Sequence, residues 1–303
     1  MDADLDQALK RVTDELHDLY IPTGVGTVEK PVTPSQILSF YRKYVQKNIP
    51  VKITGCTDDW PAVTKWTDEY LSSKLEDTEV TVAITPNGLA DAIFDGQFTL
   101  PFEKKVKFSE LVTELNNPAE DRVLYLQQQN NSFNTEFPKL MDDIEPAPEW
   151  SSQVFGTDLD AVNFWMGDGR AITSLHKDPY ENVYSVIRGS KTFTLYPPCD
   201  RLNLRYRYYP LSRYGEGGDL IPEDGSVPWI DIDQRDPLCG DNSNLHPVVV
   251  TVRAGETLYL PSYWFHHVTQ THSTIAINYW YDIDYGPAYG LFKMYDELAR
   301  LKE

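Results

Sequence analysis

The sequence predicts a mainly β fold, a sandwich or barrel with helices at both ends. Short apolar or alternating runs recur through the second half of the chain, each bounded by turn residues. Helical periodicity is concentrated toward the two ends. The chain has 303 residues and no linker that would divide it, which is ample for one closed core.

Taken in order, residues 2–20 read as an amphipathic helix with Leu5, Leu9, Val12, Leu16, Leu19 and Tyr20 on one face. Residues 35–46 read as a second helix, capped by Thr33 or Ser35. PVKITG (50–55) is a short strand. DDWPAVTKW (58–66) brings two tryptophans and a helix-starting Pro61. Residues 79–85 alternate as a strand does, and TPNG (85–88) is the turn after it, since Asn-Gly suits positive φ. Residues 108–116 read as a helix and 123–129 as a strand. Strands follow at 161–167, 182–188 and 191–197, with Gly189-Ser190 joining the last two as a tight hairpin. After a polar, Pro- and Gly-rich excursion (200–245), strands resume at 248–253, 256–261, 264–270 and 274–282. A helix over 287–302 closes the chain with Leu291, Met294, Tyr295 and Leu298 inward. Residues 1–120 are expected to pack on a barrel spanning 121–285, followed by the terminal helix 286–303, all as one unit.

Composition is that of an ordered globular protein: 41% hydrophobic, 13% aromatic and free of low-complexity runs. No apolar run reaches the ~20 residues of a membrane span. The charged, helix-patterned N-terminus lacks a signal-peptide core. Cys56, Cys199 and Cys239 are far apart with no C-x-x-C, which predicts a reducing compartment, cytosol or nucleus. A net charge of −19 repels nucleic-acid phosphates and favours a cationic partner such as a basic peptide, although solubility alone accounts for it equally well.

The chemistry concentrates in TSLHKDPYENVYSVIRGSKTFTLYPP (173–198). His176 and Asp178 are two apart, so in an extended segment their side chains point the same way. WFHHV adds His266 and His267, of which only one faces that point. Two histidines and one carboxylate leave coordination positions free, an arrangement suited to non-haem Fe(II). Structural zinc wants four closing ligands, and no H-E-x-x-H is present. On spacing alone, a surface His–Asp pair with core-edge histidines remains an equal reading. Lys191 raises the sharper question, because a lysine on an alternating strand normally faces solvent.

DDWPAVTKW, TPNGLADA, AVNFW, TSLHKDPYEN, TVRAGETLYLPSYWFHHV and AINYWYD, in that order, resemble the Jumonji-C (JmjC) family of Fe(II)- and 2-oxoglutarate-dependent oxygenases. The resemblance covers most of the chain and is greatest to the branch that holds a lysyl hydroxylase beside the asparaginyl hydroxylase of hypoxia-inducible factor. It implies a double-stranded β-helix, or jelly roll, with iron at one open end. His176 and Asp178 match the family's H-x-D pair. His266 matches the third metal ligand, since Pro-x-x-Trp-x-His begins here at Pro261, and His267 then faces away. Lys191 matches the lysine that pairs with the distal carboxylate of 2-oxoglutarate. Thr173 and Tyr125 match hydroxyls bound to the same carboxylate, and Asn182 and Asn278 match amides near cosubstrate and iron. Gln127 is expected at the substrate entrance, whereas Trp264 and Trp280 are expected in the core. The implied reaction consumes O2 and 2-oxoglutarate and hydroxylates carbon 3 of a lysyl side chain in a protein, such as a translation-factor-like GTPase. The resemblance also implies a homodimer through the terminal helices. The rival readings are a histone lysine demethylase or histone-tail peptidase on the same site, and a non-catalytic cupin-like binding protein.

Overall fold

A computed structural model describes residues 2–19, 21–239 and 244–301. Among these residues three sheets form. The largest runs in the order Gly26–Glu29, Val51–Thr54, Thr257–Leu260, Tyr180–Arg188, Thr274–Asp282, Leu159–Gly167, Val123–Leu126, Glu79–Thr85 and Phe102–Lys107. The second runs Val248–Arg253, Ser190–Tyr196, Phe265–Gln270, Ile172–His176 and Leu89–Ala90. From Leu159 onward the chain steps from one of these two sheets to the other, strand by strand, except where Ser190–Tyr196 and Val248–Arg253 pair directly in the second sheet. That alternation is the jelly roll. Tyr184, Val186, Leu258, Leu260 and Ala276 of the large sheet pack with Phe193, Leu195, Val250, Val252 and Val268 of the second, closing the interior. Alternation along each strand puts these residues inward.

The N-terminal region contributes strands as well as helices. Gly26–Glu29 and Val51–Thr54 extend one edge of the large sheet, while Val123–Leu126, Glu79–Thr85 and Phe102–Lys107 extend the other. The helix Pro34–Phe40 starts at a capping box in which Thr33 and Gln36 bond reciprocally, and it continues as a π turn over Tyr41–Val45. Of the first helix's expected apolar face, Leu9 is buried, Val12 and Leu19 are exposed, and Tyr20 lies outside the described residues.

Three expectations are corrected. Gly189-Ser190 is not a hairpin: the strands it joins belong to opposite sheets, and the pair forms a corner. Gly189 adopts φ +75, and a Cβ there would collide with the hydroxyls of Thr271 and Thr274, so this corner requires glycine. The excursion 200–245 holds two long strands. Tyr206–Tyr214 and Leu220–Ile230 form a long antiparallel hairpin that joins Gln97–Leu100 and Ala92–Phe94 in the third sheet; residues 240–243 lie outside the described set. In the C-terminal helix Pro287–Arg300, Leu291 and Met294 point outward, 62% and 56% exposed. Lys302, the expected end, lies outside the described residues. The inward face is partly charged instead. Asp296 is buried, accepts from Arg201 at 2.6 Å and Arg300 at 3.1 Å, and sits 3.8 Å from Lys177. Lys177 itself lies between the predicted ligands His176 and Asp178, so this ion network ties the last helix to the site. A further difference is smaller: the strand expected over 123–129 stops at Leu126, where Gln127 and Gln128 turn to donate to Asp91 and Glu103.

Asp296→Ala removes a buried carboxylate that Arg201, Arg300 and Lys177 face together. The expected outcome is a loss of about 3–5 kcal/mol of unfolding free energy, measured by urea denaturation.

Candidate metal and cosubstrate site

The site is built on two antiparallel strands of the second sheet. His176, at the end of Ile172–His176, sits directly opposite His266 of Phe265–Gln270, with a register shift between Thr173 and His176. Their rings are 4.2 Å apart between centroids. Asp178 follows where the chain leaves the strand, and its carbonyl accepts from the Tyr263 N–H at 2.9 Å. His176 Nδ1 donates to the Ser174 carbonyl and His266 Nδ1 to the Trp264 carbonyl, at 2.8 and 3.0 Å. Each bond places the Nδ1 proton and leaves Nε2 with its lone pair. Both Nε2 atoms face Asp178 Oδ2, at 3.6 and 3.5 Å.

Three electron-rich donors therefore converge on one point. Burial alone would raise the Asp178 carboxyl, but His176 and His266 hold it well below the ordinary carboxylate range. His266 is pushed down by burial and by its neighbour His176. His176 goes up despite its burial, because Asp178 lies beside it. A divalent cation resolves this convergence, and the N2O donor set fits Fe(II).

Lys191 lies in the adjacent strand Ser190–Tyr196, opposite Gln270. It is 1% exposed. Its Nζ donates to Tyr125 Oη and Gln270 Oε1, both at 2.7 Å and both neutral. The rings of Tyr125, Trp165 and Tyr184 surround it at 5.1–5.7 Å from their centroids. Among the described residues no carboxylate pairs with it. Burial pushes its ammonium down to about 7. A lysine buried against aromatic faces with no counter-charge suits a ligand that brings the anion.

Tyr125, Thr173, His176, Asp178, Asn182, Lys191, His266 and Asn278 line one cavity. The Tyr125 and Thr173 hydroxyls line the same wall of it. Asn278 accepts from Trp165 Nε1 at 2.7 Å and donates to Asn182 at 3.2 Å, which fixes both amides. His267, one residue along the strand, points to the other face and donates to the Gln234 carbonyl at 3.0 Å. Trp264 is core, its indole donating to the Asn48 carbonyl. Trp280 is buried, as expected, and also borders the cavity, stacked on Tyr180 at 4.7 Å, with its indole nitrogen buried and unbonded. Gln127 is held by Asp91, and the cavity is lined by Gln129. Sequence reading missed Gln270, although its place four residues after His266 on the same strand puts both on the inward face.

A family model for a cupin-like domain matches residues 37–286. JmjC domain-containing protein E of Dictyostelium discoideum is 38% identical over 98% of this chain and 95% of its own length. The chain belongs to the JmjC family. The human protein named bifunctional peptidase and (3S)-lysyl hydroxylase JMJD7 is 39% identical over 97% of both chains. Another JmjC relative, lysine-specific demethylase JMJ32 of Arabidopsis thaliana, is 36% identical over 94% of this chain and 89% of its own length.

The two adjacent histidines separate the ligand role from the packing role. Outer partners of a metal ligand are worth about 10–100-fold in affinity. His266→Ala is therefore expected to weaken Mn(II) binding by more than about 100-fold in a calorimetric titration, and His267→Ala by less than about 10-fold.

Proposed function

We propose that this chain is an Fe(II)- and 2-oxoglutarate-dependent hydroxylase of lysyl side chains in a protein substrate. The observation that carries the reading is Lys191: a buried ammonium with no carboxylate partner among the described residues, on the wall of the cavity that also holds the His176–Asp178–His266 convergence. Those three side chains would hold the metal. Lys191, with the hydroxyls of Tyr125 and Thr173, would hold the far carboxylate of the cosubstrate. Asn182 and Asn278, locked to each other, shape the space between, and Phe193, Leu260 and Val268 keep it dry. Bound Fe(II) supplies the redox chemistry that couples decarboxylation of 2-oxoglutarate to oxygen insertion from O2.

Substrate enters past Trp280 and past Trp229, which the long hairpin brings parallel to the His176 ring at 6.5 Å. The lysine preference rests on the name of the human relative and on a surface of net charge −19 that favours a cationic target. The outward Leu291 and Met294, with exposed Leu301 and Leu19, support a homodimer through the terminal helices.

The test is turnover of a lysine-containing peptide from a GTPase with Fe(II), 2-oxoglutarate and ascorbate, read by mass spectrometry. One added oxygen on lysine, absent in His176→Ala, is the expected result. A lost methyl group from a methyl-lysine peptide, or a cut peptide, would replace it with the demethylase or peptidase activity in the relatives' names.

Cosubstrate binding should also report Lys191 through pH. The dianion binds the protonated ammonium and raises its pKa. Between the empty-site value of about 7 and the higher bound value, each added pH unit weakens 2-oxoglutarate binding by about tenfold. Lys191→Arg, always charged, should flatten that slope in the same calorimetric titration. In the ligand-free chain the sign is opposite. The unfolded lysine keeps its proton up to its ordinary 10.5, so this group's contribution to stability rises between about 7 and 10.5.

A further inference from the structure

A second convergence of donors lies outside the cavity, where three distant segments meet. His17 is in the last turn of the N-terminal helix Asp2–Leu19. Cys199 and Asp200 are in the 3₁₀ turn Pro198–Leu202, directly after the strand that carries Lys191. His246 stands two residues before the strand Val248–Arg253. Two of the chain's six histidines and one of its three cysteines thus gather around one carboxylate, at the two ends of the 200–245 excursion.

The Asp200 side chain is fully buried. Its Oδ2 accepts from the His246 backbone N–H at 2.7 Å, and its Oδ1 lies 3.0 Å from His17 Nε2 and 3.1 Å from His246 Nδ1. No lysine or arginine pairs with it among the described residues. The same His17 Nε2 is 3.7 Å from Cys199 Sγ. The imidazoles of His17 and His246 stack with centroids 3.1 Å apart.

One nitrogen facing both a carboxylate and a thiol is the decisive feature. A Cys–His–Asp nucleophile would use the two ring nitrogens of histidine for its two partners. Here both partners meet Nε2. A single proton on that atom satisfies one of them, whereas a cation placed between the donors satisfies all. The donor atoms of His17, Cys199 and Asp200 lie within 4.8 Å of one another, and His246 Nδ1 approaches the same carboxylate oxygen. The 3.0–3.7 Å separations are close to the edges of about 3.3–3.6 Å that zinc bond lengths give a tetrahedron.

We propose that His17, Cys199 and Asp200, with His246 bonded to the same carboxylate, form a second metal site, selective for Zn²⁺ and similar borderline cations. A sulfur ligand disfavours Mg²⁺ and Ca²⁺, and an imidazole, a thiolate and a carboxylate together suit a borderline cation. It clamps the N-terminal helix to both ends of the excursion that carries the substrate-facing hairpin. The surroundings brace it. Tyr295 of the C-terminal helix donates to the Cys199 carbonyl at 2.9 Å and shares a hydrogen bond with Thr13 at 2.7 Å. His246 is 40% exposed, which gives the ion a way in.

Cobalt substitution tests this independently of turnover, because the His176–Asp178–His266 set contains no sulfur. Full-length protein, stripped with chelator under reducing conditions, is titrated with Co²⁺ and followed by absorption. Two equivalents are expected, one of them giving thiolate-to-cobalt charge transfer and intense tetrahedral bands. His176→Ala should keep that spectrum, and Cys199→Ser and His17→Ala should lose it. One equivalent of Zn²⁺ should erase it in the wild type. Absence of the charge-transfer band from folded wild-type protein overturns the proposal without recourse to any variant. So does a band that survives Cys199→Ser.

Discussion

A lysine ammonium sealed inside a β-barrel, bonded to a phenol and an amide and to no carboxylate among the described residues, is the constraint around which this molecule is arranged. Such a group costs several kcal/mol relative to water. The chain keeps it where an apolar residue of similar size would stabilise the fold more. Three aromatic faces offset part of the cost, and the strand opposite supplies Gln270 to orient the amine. The remainder is left for a ligand with negative charge. Metal donors and ammonium belong to adjacent strands of one sheet, so the spacing between an anion's two ends is set by strand separation and register, not by flexible loops.

The layers outside the cavity keep that sheet in position. Glycine at 189 lets the chain turn from one sheet to the other between the strand of Asn182 and the strand of Lys191. Lys177 points away from the metal donors on either side of it and enters a cage of Tyr206, Phe265 and Phe292 rings beside Asp296. The long hairpin, the last helix and the ligand pair thereby share one buried contact region. A disturbance at the terminal helix has a short physical route to Asp178.

Strands whose alternation is clean were legible from sequence, and those at 79–85, 248–253 and 274–282 fall where the pattern puts them. Most of their buried residues are apolar, and local pattern suffices. Sheet membership is not local, which is why Gly189-Ser190 read as a hairpin. The Tyr206–Ile230 ribbon was missed because prolines at 210, 222 and 228 and glycines between and within its strands look like loop, and few of its side chains are buried. The C-terminal helix misled for the opposite reason: its buried face carries Asp296, and the apolar positions that periodicity favoured are the ones left outside. For the candidate site, His176 and Asp178 are two apart and their common direction could be read directly. Their meeting with His266 and Lys191 depends on strand pairing, and only the family resemblance supplied it. His17, Cys199 and His246 carry no motif at all, since their spacing of 182 and 47 positions becomes a cluster only through the fold.

The strand Phe265–Gln270 has a consequence for how this protein tolerates change. His266, Val268 and Gln270 face the cavity, while Phe265, His267 and Thr269 face away. The outward set answers to packing instead: Phe265 is fully buried against Leu175, Tyr196, Leu204 and Ile230, and His267 is held by one hydrogen bond. Length is different. Deleting or inserting a single residue between Pro261 and Gln270 would exchange the two sets, offering His267 to the metal and moving Gln270 away from the ammonium in one step. A replacement in this stretch changes one contact at a time, whereas an indel changes both faces together.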